Sequence, residues 1–226
     1  MHPLDNPTWS ALTSYQEKLA LVNGPARRFP AGMCLHGAFA GFSPAAWEAM
    51  AHLAREPVGL LTLQPPEIPP GWSTLRAVEL FEMVLEGGAP RHPLQNRILD
   101  LTSADLPRMT ALYEATRPGR HLAPRLHELG GFIGIKDGDR LAAMACLRLH
   151  FPGFREISTV GTLPGHTGRG YATALVSELC GRIRAAGERA FLTVRSDNHR
   201  AREIYLRLGF RDRTRLYSTT VRWEGG

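Results

Sequence analysis

Residues 156–173 read EISTVGTLPGHTGRGYAT, an apolar strand pattern running into a glycine-bearing turn that opens directly onto a long helical stripe. Gly168 and Gly170 remove side chains, so backbone there can approach a ligand closely and enter conformations closed to other residues. The first amides of the following helix have no internal partner, and the helix dipole adds positive potential. A diphosphate is the natural occupant of such a turn, and Arg169 adds a mobile cation. On residue types alone the turn is also compatible with a purely structural glycine bend. A dinucleotide fingerprint would start with Gly168-x-Gly170 and find its acid at Glu188, about twenty residues on. It fails because Thr173 replaces the third glycine and the acid opens a strand instead of ending one. No G-x-x-x-x-G-K-S/T occurs anywhere in the chain, which excludes a Walker loop.

Downstream of the turn, Ala172, Leu175, Val176, Leu179 and Ile183 form one apolar stripe over 171–186, and Gly187 stops the helix. Residues 190–194 read as a strand, 200–208 as a helix ended by Gly209, and 211–221 as a terminal strand. Upstream, apolar runs at 132–135 and 141–149 flank Asp137-Gly138-Asp139, a hairpin signal. Thr102-Ser103 can cap a helix to about residue 116, a second short helix falls at 122–129, and 98–101 is a short strand. The first ninety or so residues read differently. Leu12, Tyr15, Leu19 and Val22 recur at helical spacing and predict a helix ending at Asn23-Gly24-Pro25. Ser43-Pro44 starts another through Trp47, Met50 and Leu53, and 58–63 is a buried strand. Residues 74–85 fit strand or helix. The stretch 87–93 is the best linker, dividing an N-terminal α/β segment of unknown role (1–90) from a second domain (96–226). The pattern predicts an α+β chain with a mixed sheet.

Composition narrows the function. Of the 27 basic residues all but Lys18 and Lys136 are arginine, and acids interrupt them throughout, so no basic stripe marks a nucleic-acid binder. No apolar run reaches the ~18 residues of a membrane span, and the first residues lack a signal-peptide pattern. Cys34, Cys146 and Cys180 are scattered, without a CxxC, which predicts a reducing, cytoplasmic setting and no disulfide framework. Cys146 and Cys180 fall in apolar patterns and read as packing residues. The histidines and cysteines show no metal-ligand spacing, so no metal is expected.

The segment from Val160 to Ala172, followed by RSDNHRAREIYLRLGF at 195–210, closely resembles the GNAT superfamily of acyl-CoA-dependent N-acyltransferases. The first block resembles its pyrophosphate loop, Q/R-x-x-G-x-G/A. The second resembles its N-x-x-A-x-x-x-Y-x-x-x-G-F signature, met at Asn198, Ala201, Tyr205, Gly209 and Phe210. The resemblance covers about residues 96–222, and within the superfamily the chain looks like the glycine-acyltransferase-like branch, whose members often carry a degenerate N-terminal half. It implies a central, mostly antiparallel twisted sheet flanked by helices, with 1–90 as that half.

The resemblance also implies roles. Backbone at Val160, Gly161 and Thr162 would meet the pantetheine arm of acetyl-CoA as an added strand would. Amides at Gly168, Arg169, Gly170, Tyr171, Ala172 and Thr173 would hold the diphosphate, and Asn198 would contact the CoA arm. Tyr205 would protonate the departing thiolate, and Glu156 falls where some members keep a general base. Tyr205 also suits a core stripe with Ala201, Ile204 and Leu208, Asn198 suits a helix N-cap, and Glu156 suits a solvated strand position. His166 and His150 are further base or relay candidates. Two departures stand out: Thr167 occupies the loop's Arg/Gln position, and Thr193 the position of a catalytic glutamate in one branch. The expected activity is acetyl transfer from acetyl-CoA directly to a primary amine of a small molecule or peptide. The alternative is an acyl-CoA-binding regulatory module without turnover. Neither nucleic acid nor membrane is an expected partner, and pairing through strand 211–221 would give a homodimer.

Overall fold

The computed structural model describes residues 2–88 and 90–225; Ala89, inside the expected linker, lies outside the described residues. Among the described residues one mixed sheet carries eleven strands. In chain order they are β1 (Leu21–Asn23), β2 (Ala26–Arg28), β3 (His36–Phe39), β4 (Val58–Thr62), β5 (Trp72–Leu85), β6 (Ile98–Leu101), β7 (Phe132–Asp137), β8 (Arg140–Phe151), β9 (Phe154–Thr162), β10 (Arg189–Arg195) and β11 (Phe210–Trp223). The order across the sheet is β1-β2-β3-β4-β11-β5-β10-β9-β8-β7-β6. The α-helices are α1 (Pro7–Leu12), α2 (Pro44–Leu53), α3 (Leu106–Thr116), α4 (Tyr171–Ala185) and α5 (His199–Arg207).

Two half-sheets meet at the β5/β11 pair. In one, β7, β8 and β9 run antiparallel, α4 crosses over, and β10 returns parallel to β9. In the other, β1, β2 and β3 run antiparallel, α2 crosses over, and β4 returns parallel to β3. Each half takes one strand from the other: β5 of the N-terminal segment pairs with β10, and β11 pairs with β4. The expected boundary near residue 90 is therefore a chain crossing, with the sheet continuous on both sides. Because β11 lies inside the sheet, it offers no edge for pairing between subunits; the outer strands are β1 and β6.

α1 and α3 cover one face of the long β8–β9 hairpin, burying Leu12, Met109 and Leu112 against Met144, Cys146 and Phe151. α4 covers the other, where Leu175, Val176, Leu179 and Ile183 are all buried. Burying such side chains stabilises the fold by roughly 1.5–3 kcal/mol each. Cys34, Cys146 and Cys180 are buried thiols, and burial pushes the last two up to about 12, which suits packing residues.

Local pattern was overridden in two places and left open in a third. The helix expected over 12–22 ends at Leu12 because Thr13 and Ser14 hydroxyls donate back to Trp9 and Ser10 carbonyls, and Gln16 donates to Leu129 and Arg148 carbonyls across the fold. The helix expected at 122–129 is a single 3-10 turn, Leu126–Leu129, since Pro124 blocks its first half. Residues 74–85, ambiguous by periodicity, lie in β5, fixed by partners on both sides.

A fragment of residues 91–226 loses β4 and β5, leaving β11 without a partner and β10 paired only with β9 over Arg189–Phe191. It is expected to show no cooperative thermal unfolding by circular dichroism; a sharp melt comparable to the full chain would show that the strand exchange is dispensable.

Candidate active site

β9 and β10 are paired in parallel only over Phe154–Glu156 against Arg189–Phe191. Beyond the Glu156–Phe191 pair they part. A bulge in β9 accompanies the parting: its register against β8 shifts between Ser158 and Gly161, and Thr159 takes φ 54°, a conformation that is strained for a β-branched residue. α3 lies close over the same strand. A Cβ on Gly161 would meet Leu112 Cδ2 at 3.3 Å and Thr116 Oγ1 at 3.4 Å, so a residue without one permits the approach.

The wedge between the strands holds an inner chamber of about 340 Å³, lined by Ser158 to Thr162 of β9, Thr193 to Arg195 of β10, Tyr113, Arg117, Arg120, Arg148 and Tyr205. It shares Arg117, Val160 to Thr162, Ala172 and Asn198 with an outer cleft of about 980 Å³ that runs to the loop before α4. In that loop Gly168 and Gly170 take φ 82° and 79°, the left-handed region that glycine enters without penalty. No protein acceptor among the described residues engages the amides of residues 168–173; Ala174 is the first to bond back, to the Gly170 carbonyl. Six consecutive free amides at the N-terminus of a 15-residue helix make an anion cradle. Arg76, Arg195, Arg200 and Arg207 line the outer cleft, and among the described residues no carboxylate lines either cavity.

The expected residues divide accordingly. Val160, Gly161, Thr162, Gly168, Gly170, Ala172, Thr173, Asn198 and Tyr205 are brought together. Asn198 also caps α5, its Oδ1 accepting from the Ala201 amide. Tyr171 contributes its backbone, while its ring is buried beneath Arg97. The Tyr205 hydroxyl has no protein partner among the described residues; burial pushes the phenol up to about 12, opposed in part by Arg117.

Two assignments are corrected. Glu156 is 0% exposed, and Arg148 grips both its oxygens at 2.6 and 2.8 Å, so it is neither a solvated residue nor a free base. Arg169 turns outward to Asp137 at 3.1 Å, so it does not replace the cation missing at Thr167. Of the histidine candidates, His150 pairs with Glu188 outside both cavities, and His166 lines the outer cleft beside Asp137. Glu82 of β5 lies opposite Thr193 of β10, and burial raises it to about 7 against the Arg213 pairing, but it does not line the chamber. Arg117, Arg120, Arg148 and Arg76 were missed. In a chain this rich in arginine nothing in their local sequence sets them apart. Among the described residues no cluster of His, Cys, Asp or Glu could hold a metal ion, and no helix is long and apolar enough to cross a membrane.

The FR47-like protein family model matches residues 132–219, which contain the parted strands and the loop before α4. Over 99% of both chains the fold superposes on an acetyltransferase assigned to the GNAT family from Novosphingobium aromaticivorans DSM 12444, with 32% identity and a TM-score of 0.90. The chain belongs to the GNAT family of acetyltransferases. A GCN5-related N-acetyltransferase from Kribbella flavida shares the fold at 18% identity and a TM-score of 0.60, over 96% of this chain and 93% of that one. One from Sphaerobacter thermophilus does so at 17% and 0.51, over 88% and 76%. No curated protein matches the sequence.

Glu156→Gln leaves Arg148 without its counter-charge and is expected to cost about 2–3 kcal/mol in denaturant unfolding, discounted because Arg148 is 18% exposed. Unchanged stability with lost turnover would return Glu156 to the role of base. Any side chain at position 170 meets the His92 ring at 3.2 Å and carries the left-handed strain. Gly170→Asp also sets a carboxylate over the cradle, and calorimetry is expected to find CoA affinity at least ~100-fold weaker.

Proposed function

We propose that the protein transfers the acetyl group of acetyl-CoA directly to a primary amine. The observation that carries this reading is the continuity of one cleft: six free amides at its outer end, parted strands in its middle, and the Tyr205 hydroxyl at its inner end. The cradle and the outer arginines suit the phosphates of CoA. The unpaired inner edge of β9 suits the amides of the pantetheine arm, which would lie along it as an added strand. That arm would carry the thioester into the chamber beside Tyr205.

There the neutral amine attacks the thioester carbonyl, the C–S bond breaks, and the sulfur leaves as an anion needing a hydrogen-bond donor. Holding both reactants in the wedge supplies much of the rate. A phenol near 12 is a weaker acid than a thiol near 8.5 by about 3.5 units, so full transfer even to the completed thiolate would be uphill by about 5 kcal/mol. Tyr205 therefore acts by donating a hydrogen bond to the developing thiolate and keeps its proton, and the departing thiolate takes a proton from water. Among the described residues no carboxylate or histidine lines the inner chamber to take the ammonium proton, so it leaves to water. The same lack favours the second reading, a module that binds acyl-CoA without turnover. Release of free thiol from acetyl-CoA in the presence of an amine panel separates the two.

Tyr205→Phe is expected to leave acetyl-CoA affinity nearly unchanged while lowering turnover by about 10²-fold, the low end for a proton donor. Burial raises the Tyr205 phenol, so its donor form persists as pH rises until about 12. Turnover should climb with deprotonation of the amine and show no fall between pH 7 and 10; a decline near pH 8.5 would remove Tyr205 as the donor.

A further inference from the structure

A second cleft lies in the N-terminal half and shares no lining residue with the two cavities of the candidate active site. β3 and β4 stop pairing after Gly37 and Leu60, and the cleft that opens there is about 670 Å³, the size of a small-molecule site. One wall is aromatic: the rings of Phe39, Phe42 and Trp47 lie 5.0 to 6.1 Å apart. The loop after β4 completes the cleft, and Pro65, Pro66 and Pro69 in it fix their own φ, so the shape is largely set in advance. Phe42 is 51% exposed and Leu63 38%, so two of the large apolar side chains left open by the fold line this one cleft.

Its charge is unlike that of the chain as a whole. Lys and Arg outnumber Asp and Glu by 27 to 21, yet among the described residues no Lys, Arg or His lines the cleft, while Asp5 and Glu67 do. Asp5 is already engaged, its Oδ1 accepting from Arg213 Nη1 at 2.9 Å and its Oδ2 from the His2 amide at 2.9 Å. Glu67 is exposed and makes no ion pair or hydrogen bond among the described residues. A cation complements both features at once: the faces of aromatic rings carry negative potential, and a free carboxylate adds to it. An anion finds no counter-charge there.

We infer that this cleft is a second ligand site, for an organic cation with an apolar body such as an arylalkylammonium. The apolar body packs on Phe42 and Trp47, while Glu67 and the ring faces hold the charge. The site stands apart from acetyl transfer: it neither needs CoA nor competes with it.

The test is calorimetry on the full chain. Trimethyl(2-phenylethyl)ammonium is titrated beside 3-phenylpropan-1-ol and 3-phenylpropionate, which keep its ring and differ in charge. A quaternary ammonium cannot be acetylated, which keeps the probe distinct from an acceptor. It is expected to bind at least ~10-fold more tightly than the alcohol, and the carboxylate more weakly than either. Glu67→Gln is expected to cut the preference for ammonium over alcohol by about 3-fold, as an exposed ion pair would, and Phe42→Ala to weaken the ammonium by at least as much. Both side chains are exposed, so the melting temperatures should hold. Saturating CoA is expected to leave ammonium binding unchanged. An alcohol or carboxylate that binds as tightly, no binding of the ammonium, displacement by CoA, or an unchanged preference in Glu67→Gln would overturn the inference and leave acetyl transfer intact. A dimer in sedimentation that Phe42→Ala dissolves would assign the cleft to a second copy of the chain and overturn it as well.

Discussion

Two parallel strands that stop pairing after Glu156 and Phe191 are the constraint on which the rest of the structure depends. Parted strands expose backbone donors and acceptors that water or a ligand must satisfy, so the wedge persists only if its edges are held apart and occupied. The bulge at Thr159 turns β9 away, α3 crosses close over Gly161, and Arg117 satisfies the Val160 carbonyl. On the far side β10 cannot follow β9, because its other edge is paired with β5 from Leu80 to Val84. A strand contributed by the N-terminal segment thus holds open the cleft built by the C-terminal one.

That dependence gives the buried ion pair its meaning. Arg148 and Glu156 face each other across the β8–β9 hairpin at the root of the wedge, Glu156 being the last residue of β9 paired with β10. A buried pair is weak evidence for stability, because desolvation offsets most of its attraction. Its structural effect is direction: with two nitrogens committed to the carboxylate, the guanidinium is fixed and its remaining nitrogen is left for the chamber.

The turn at 163–170, the helix after it and the Asn198–Phe210 block were legible in the sequence because their glycines, cap and stripe are local requirements. So were α4, β10 and the Asp137–Asp139 hairpin. The reciprocal exchange of β5 and β11 was not, since periodicity reports which face is buried and is silent on which strand lies alongside. Glu156 was misread for a related reason. A glutamate on a strand looks solvated until its partner is placed, and Arg148 is eight residues away on another strand. Arg169, next to the cradle in sequence, is drawn off by Asp137 from a hairpin thirty-two residues earlier.

The N-terminal half shows by contrast which features make the cradle. It has the same wedge: β3 and β4 pair in parallel only at His36–Gly59 and Gly37–Leu60 and then part, with α2 crossing between them. A cleft of about 670 Å³ opens at the corresponding place. Yet Pro44 takes the first helical position and has no amide, and Ser43 accepts from the Ala46 amide, leaving only Ala45 free in the first turn. Phe39, Phe42 and Trp47 pack ring to ring along the wall, and among the described residues Asp5 and Glu67 are the charged ones lining it, with no cation. The wedge alone is a shape. Diphosphate binding requires free amides and surrounding arginines as well, and only the half ending in α4 and α5 supplies them.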